Sequence, residues 1–381
     1  MTAAPSNTRA LAQPIAIVGH ACLLPGADSS AALWQAARDG RDLLSHAPPN
    51  RWGVTRREIM GTVDDSVDRS WSDRGGYVDQ SAFDAAFDPT GFLLPPDAVQ
   101  QLDPLVRWLL HVSRQALRCA HIDDTSRTGA IVGNLSFPSA SLSRLSERVW
   151  LGDQLADAAD LPPVDASNRF MSGLPAHLLG AALGLGDAAY CLDAACASSL
   201  VAIKLACDRL ASGQADSMLA GAVCCADDLF IHVGFCALQA MSRVGMSRPF
   251  HRDADGLVPA EGAGVVVLER LADAEAKGRT ILGVIRGVGL SNDGRGKGML
   301  APAAGGQARA MKRAYEVAGV APSSVDYIEC HATGTPVGDG TELRSMALTF
   351  GHERQLPIGS LKSNLGHLIT AAGVAGLIKV L

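Results

Sequence analysis

The chain has 381 residues, 48% of them apolar and 19% charged, with 40 glycines and a net charge of −6. That supplies apolar mass for one large core or two fused halves and is far from the composition of a disordered chain. No basic run suits a nucleic-acid groove and no apolar run has the length of a membrane span; nine cysteines without a secretory leader indicate reduced thiols in the cytosol.

Residues 1–13 form a loose leader of small and polar residues. PIAIVGHACLLPG, residues 14–26, predicts a buried strand emptying into a glycine turn, and ALWQAARDG from Ala32 has helical spacing that ends at Gly40. Residues 45–88, with PPNRW and GGYVDQSAFDAAFD, are polar and irregular, which predicts excursions on the surface and at an entrance rather than core. From Leu94 a long helix is expected, broken near Asp103-Pro104. TGAIVGN from Thr128 is the next buried strand, followed by mixed helices and then by AYCLDAACASSL, residues 189–200.

Ala189 to Leu192 reads as a strand, and Val201, Ile203, Leu205, Ala206 and Leu210 mark a buried helix, so Cys196 falls at a strand-to-helix corner. Such a corner exposes a side chain on rigid backbone, and helix N-terminal N–H groups lower a thiol pKa. On this pattern alone Cys196 fits a nucleophile or a small residue filling a tight core. DSMLAGAV predicts a strand, and LVPAEGAGVVVLERLADAEAKG a strand leading into a helix.

A second cycle starts near Ile281: ILGVIRGVGLSNDGRGKG repeats the plan of residues 14–26, GGQARAMKRAYEVAGV is a helix, VDYIECHATGT a strand and turn, and LPIGSLKSNLGHLITAAGVAGLIKVL a strand, turn and buried helix. The glycines of GVGLSNDGRG lack the GxGxxG arrangement of a nucleotide loop. The expected organisation is a flexible leader (1–13), an N-terminal half (14–276) carrying Cys196, and a C-terminal half (277–381) with His331 and His367, each just after a strand. Strand ends in α/β sheets converge on one crevice, so these three can meet. Lys362 and Asn364 lie on the same final turn. Cys207, Cys224, Cys225 and Cys236 have no partners at metal spacing, so they predict core and no metal site.

These segments resemble the β-ketoacyl synthases, the condensing domains of fatty-acid and polyketide synthases. The family's DTACSSS stands as DAACASS, with Ala194 and Ala197 as departures; EAHGTGTxxGDPxE stands as ECHATGTPVGDGTE, with Cys330, Ala332 and Gly340 as departures; KSNxGHxxAAAG stands as KSNLGHLITAAG. The resemblance runs from about Pro14 to Leu381, and DAACASSL with YIECHATGT is similar to the bacterial multienzymes that make polyunsaturated fatty acids.

The resemblance implies a thiolase-like α/β fold, two related halves in an αβαβα arrangement. It implies an acyltransferase whose Cys196 accepts an acyl group, and whose His331 and His367 stabilise the enolate from a decarboxylating malonyl thioester. Lys362 would anchor that geometry through an ion pair with Glu342, and Asn364 would support it. No cofactor is expected in the domain itself; phosphopantetheine arrives on an acyl carrier protein or domain. Further expected partners are an acyltransferase domain and a second copy packed near residues 188–192. A thiolase-like condensation without decarboxylation, or a chain-transferring role without elongation, are the alternatives. TAAGVAGLIKVL ends without a C-cap or polar exit, so the C-terminal half is expected to be incomplete at Leu381 and poorly active alone.

Overall fold

The computed structural model describes residues 13–49, 51–62, 68–169, 172–295, 301–351 and 355–381; most of the leader and the GKGML stretch of the second glycine loop lie outside them. Taken in chain order, the elements that position the site are β1 (Ile15–Leu23), α1 (Ser30–Arg38), α2 (Pro104–Cys119), β2 (Thr128–Asn134), α3 (Leu174–Leu183), β3 (Ala189–Leu192), α4 (Ser198–Ala211), β4 (Ser217–Cys224) and α5 (Asp228–Ala237). There follow β5 (Gly262–Arg270), β6 (Gly283–Ile285), α6 (Ala304–Ala318), β7 (Ile328–Glu329), α7 (Pro336–Phe350), β8 (Ile358–Gly359), α8 (Lys362–Leu365) and α9 (Ala372–Val380).

Six strands form one mixed sheet in the order β3-β2-β4-β5-β1-β6. β2 runs parallel to both β3 and β4, while β5 pairs antiparallel with β4 and β1. The continuous apolar runs of these strands follow from burial of both faces. Alternation splits each strand between two cores: Ile15, Ile17, Ile131 and Leu268 pack on one side with Ala202, Ile203 and Leu210 of α4. Ala16, Val18, Val132 and Val267 pack on the other with Trp108, Leu109 and Val112 of α2. α2 begins where Asp103 accepts a hydrogen bond from Leu105 N and Pro104 occupies the first turn, as its sequence break predicts.

Beyond α4 lies α9, and beyond that the parallel pair β7–β8, Ile328 opposite Ile358. α6 and α7 cover this pair through Met311, Met346 and Phe350. The order helix, sheet, helices, sheet, helices is the expected αβαβα layering, with a short second sheet.

Two expectations change. The strand near Ile281 does not open the second sheet: β6 pairs antiparallel with β1, Ile15 opposite Ile285, and regular structure stops at Ile285. Residues 45–88 lie at the surface only in part: none of the described residues of 45–69 is buried, but Asp73, Tyr77, Val78, Phe83 and Phe87 are. Phe83 and Phe87 stack 5.3 Å apart beside Trp108, and Arg51 reaches the buried carboxylate of Glu261. Polar groups of this stretch find partners near and far in sequence, Asp73 in His46 and Arg56, and Arg51 in Asp228 and Glu261, which a hydropathy reading cannot see.

Small residues set the sheet spacing. A Cβ at Gly221 of β4 would lie 2.1 Å from the carbonyl oxygen of Gly264 on β5. Gly221→Ala is therefore expected to push two central strands apart and cost about 1–3 kcal/mol, read as a lower urea midpoint; an unchanged midpoint would contradict the close approach.

Candidate active site

Cys196 sits where β3 gives way to α4 through a 3-10 turn, Ala195–Ala197. Ala195 takes φ +48°, a left-handed conformation strained for alanine. Hydrogen bonds hold it there: Ala195 N donates to Asp193 Oδ1 at 2.9 Å, while Ser198 Oγ accepts from Ala194 N at 2.9 Å and donates to Ala195 O at 2.7 Å. The second half builds the same device. Ile369 has φ +48° and opens the 3-10 turn Ile369–Ala371 that leads into α9. The two turns pack together, and Ser199 Oγ accepts from Val374 N at 3.0 Å.

This pairing brings Cys196 Sγ to 3.1 Å from His367 Nε2. His367 is moored on both sides, its N–H donating to Val258 O at 2.7 Å and its carbonyl accepting from Ala260 N at 2.9 Å. The Ile369 N–H donates to His367 Nδ1 at 3.2 Å, which places the neutral ring's proton on Nε2, facing the sulfur. The His331 ring stands edge-on to it, centroids 5.2 Å apart and planes at 81°. One ligand-type atom from each of Cys196, His331 and His367 lies within 4.8 Å of the others. A soft metal is disfavoured nonetheless, because the Ile369 N–H makes His367 Nε2 a donor rather than a lone pair.

The HATGT loop is held by two acids of α7. Glu342 accepts from His331 N and Ala332 N, both at 2.7 Å, and Asp339 accepts from Thr333 N at 3.0 Å and Phe250 N at 2.7 Å. Asp339 was not singled out above, although its i, i+3 spacing to Glu342 places both on one helix face. The expected Lys362–Glu342 ion pair is not made among the described residues; the Glu342 carboxylate is spent on backbone N–H groups. Lys362 is buried all the same, its charge supported foremost by Glu329 and then by Glu342. Asn364 supports from a distance: its Nδ2 donates to Arg41 O at 2.9 Å, tying α8 to the end of α1.

Burial sets the protonation states. It pushes the Cys196 thiol up, with Lys362 working against it, a direction opposite to the lowering expected from a helix terminus. Cys22, Cys207, Cys224 and Cys330 are pushed to about 12 by burial. His367 falls well below its ordinary value through burial, with His331 and Lys362 adding to it. His331 is lowered by surrounding protein and by Lys362; its ring is open to the cleft, so water moderates the effect there more than at His367. The resting centre is a neutral thiol facing two neutral imidazoles.

These groups line a cleft of about 630 Å³ together with the apolar Phe235, Leu238 and Leu257 and with Thr333 and Thr335, whose hydroxyls are 3.0 Å apart. A largely apolar cleft lined by a thiol and two imidazoles suits an acyl chain whose carbonyl reacts beside them.

The chain belongs to the β-ketoacyl synthase family: residues 12–274 match the beta-ketoacyl synthase N-terminal domain and residues 282–381 the C-terminal domain. These are acyltransferases that perform decarboxylative Claisen condensation in chain elongation. Over 381 residues the chain is 36% identical to the pikromycin polyketide synthase component PikAIII of Streptomyces venezuelae, covering 97% of this chain and 23% of that one. It is 38% identical to one component of the phenolphthiocerol/phthiocerol polyketide synthase of Mycobacterium tuberculosis, covering 97% and 20%. Among solved structures, the PfaC keto synthase-chain length factor superposes with a TM-score of 0.91 at 40% identity, covering 97% of this chain and 41% of that chain. The ketosynthase from module 6 of the bacillaene synthase of Bacillus subtilis gives 0.80 at 30%, covering 96% and 60%. The chain thus spans about a fifth of the length of the curated relatives. No helix among the described residues is long and apolar enough to cross a membrane.

Proposed function

We propose that this chain is the condensing unit of a fatty-acid or polyketide synthase, a 3-oxoacyl-[acyl-carrier-protein] synthase with Cys196 as nucleophile and His331 and His367 as electrophilic donors. The observation that carries this reading is the 3.1 Å approach of His367 Nε2 to Cys196 Sγ with its proton fixed on that nitrogen. In the first step Sγ bonds to the acyl carbon, the carrier C–S bond breaks, and the thiol proton ends on the departing carrier sulfur. In the second, a malonyl thioester loses CO2, and its enolate oxygen is held by N–H groups of the two imidazoles. The enolate carbon bonds to the acyl carbon, the bond to Cys196 breaks, and the freed thiolate takes a proton from water.

The partners of this reading are an acyl carrier presenting phosphopantetheine thioesters, an acyltransferase domain that charges it, and a second copy. β3 is a sheet edge, bonded only to β2, and all four of its residues are half-buried, which suits an edge covered by that copy.

A short acyl thioester is expected to label Cys196 ahead of the other eight cysteines. A small neutral alkylator is expected to label the exposed Cys119 as well, because access alone suffices there. Peptide mapping by mass spectrometry distinguishes the two; acylation concentrated at Cys119 or Cys225 would remove Cys196 from its assigned role.

A further inference from the structure

Lys362 opens α8 with its ammonium buried, and a buried ammonium loses its proton unless negative charge faces it. Among the described residues no carboxylate makes an ion pair with it; those of Glu329 and Glu342 favour its charge from farther off, as do the thiols of Cys196 and Cys330, with the two imidazoles also within electrostatic reach. Glu342 is committed to the His331 and Ala332 amides. Glu329 is placed differently. It lies on β7 two residues before His331, and its Oε1 accepts from Leu361 N, the residue just before Lys362, at 2.7 Å.

Its other oxygen is clamped: Oε2 accepts from Lys379 Nζ of α9 at 2.6 Å and from the Tyr327 hydroxyl at 2.7 Å. Lys379 also contacts that hydroxyl and stands 4.8 Å from the centre of the tyrosine ring. Room for the Glu329 stem comes from Gly376 of α9, where a Cβ would lie 3.1 Å from Glu329 Cγ. One carboxylate therefore ties together β7, which leads into His331, the start of α8, and α9, which follows His367.

We propose that Glu329 is a positioning residue of the condensing site: clamped by Lys379 and Tyr327, its carboxylate fixes the place and the charge of Lys362, and through Lys362 the reactivity of Cys196. The inference rests on the condensing reading for its purpose, not for its measurement. The direction of each influence agrees: Glu329 and Glu342 favour the Lys362 ammonium, and Lys362 draws the Cys196 thiol back down against burial.

The test is the pH dependence of Cys196 alkylation by iodoacetamide in the full chain, with Cys119 as internal reference. Glu329→Gln keeps an acceptor for Leu361 N and removes the charge. Its Cys196 profile is expected to move to higher pH, with a rate at neutral pH lower by about tenfold, one pH unit on the profile, and Cys119 unchanged. An unmoved profile in a folded variant overturns the proposal. Lys362→Met is expected to move the profile the same way, and the double variant to add nothing further; additive shifts would show that Glu329 does not act through Lys362. Should E329Q not fold, the double variant decides. Recovered folding shows that the two charges depend on one another, and continued failure assigns Glu329 to the fold alone and overturns the proposal. Alkylation is read whether or not the chain condenses malonyl thioesters, so failure of the condensing reading is told apart from failure of this one.

Discussion

His367→Ala is expected to reduce carbon–carbon bond formation by about 10²–10³-fold, some 2.7–4 kcal/mol of lost transition-state stabilisation, while acyl loading of Cys196 survives in part. The asymmetry follows from where charge develops. Loading passes from one thioester to another, and His367 contributes there only the hydrogen bond that Nε2 offers the sulfur. Decarboxylation leaves a full negative charge on an enolate oxygen, and a neutral N–H held in place by the Ile369 amide meets it without reorganisation. His331→Ala is expected to show the same split, since the two rings face one cleft. Single-turnover loading measured against release of labelled CO2 separates the steps; decarboxylation retained in full by both variants would sink the scheme.

The second large effect concerns stability. Arg51 joins Asp228 at 3.0 Å and also Glu261, whose carboxylate burial pushes up to about 7. Arg51→Met leaves that carboxylate buried without its counter-ion, at a cost of about 3–5 kcal/mol when it is charged. A carboxyl raised in the folded state binds more protons folded than unfolded, so its contribution is complete below its ordinary value near 4.5 and is lost as pH rises through about 7. Removing Arg51 raises it further. The variant's loss in urea midpoint is therefore expected to be larger at pH 8 than at pH 5, and an equal loss at both would show that Arg51 acts through packing alone. The consequence reaches the site because Ala260, next to Glu261, donates to the His367 carbonyl.

Most of the sheet was legible in the sequence, since strands buried on both faces declare themselves as apolar runs bounded by small residues. The cysteine and the two histidines were legible for a different reason: strand–turn–helix corners repeat, and motif spacing marks them. The pairing of β6 with β1 was not, because a three-residue strand carries no periodicity that names its partner. Residues 70–88 misled because polarity was taken for exposure, whereas Asp73 and Tyr77 are buried and Tyr77 donates to the Asp73 carbonyl at 2.9 Å. Glu342 was assigned to Lys362 by the resemblance; only coordinates show its oxygens occupied by amides and no ion pair to Lys362 among the described residues. The thiol's protonation was misjudged likewise, because the depth of a pocket is a property of distant segments.

The matched turns at Ala195 and Ile369 give the centre a timetable. Cys196 precedes His367 by 171 residues, which ribosomes take about 10–30 s to add. During that interval the thiol has neither its imidazole nor Lys362 beside it, so the centre of the unfinished protein is incomplete. The three groups come together only when α9 docks against α4 and the second turn packs on the first. On the condensing reading, enolate stabilisation by both imidazoles is expected only once the second turn has been made and packed.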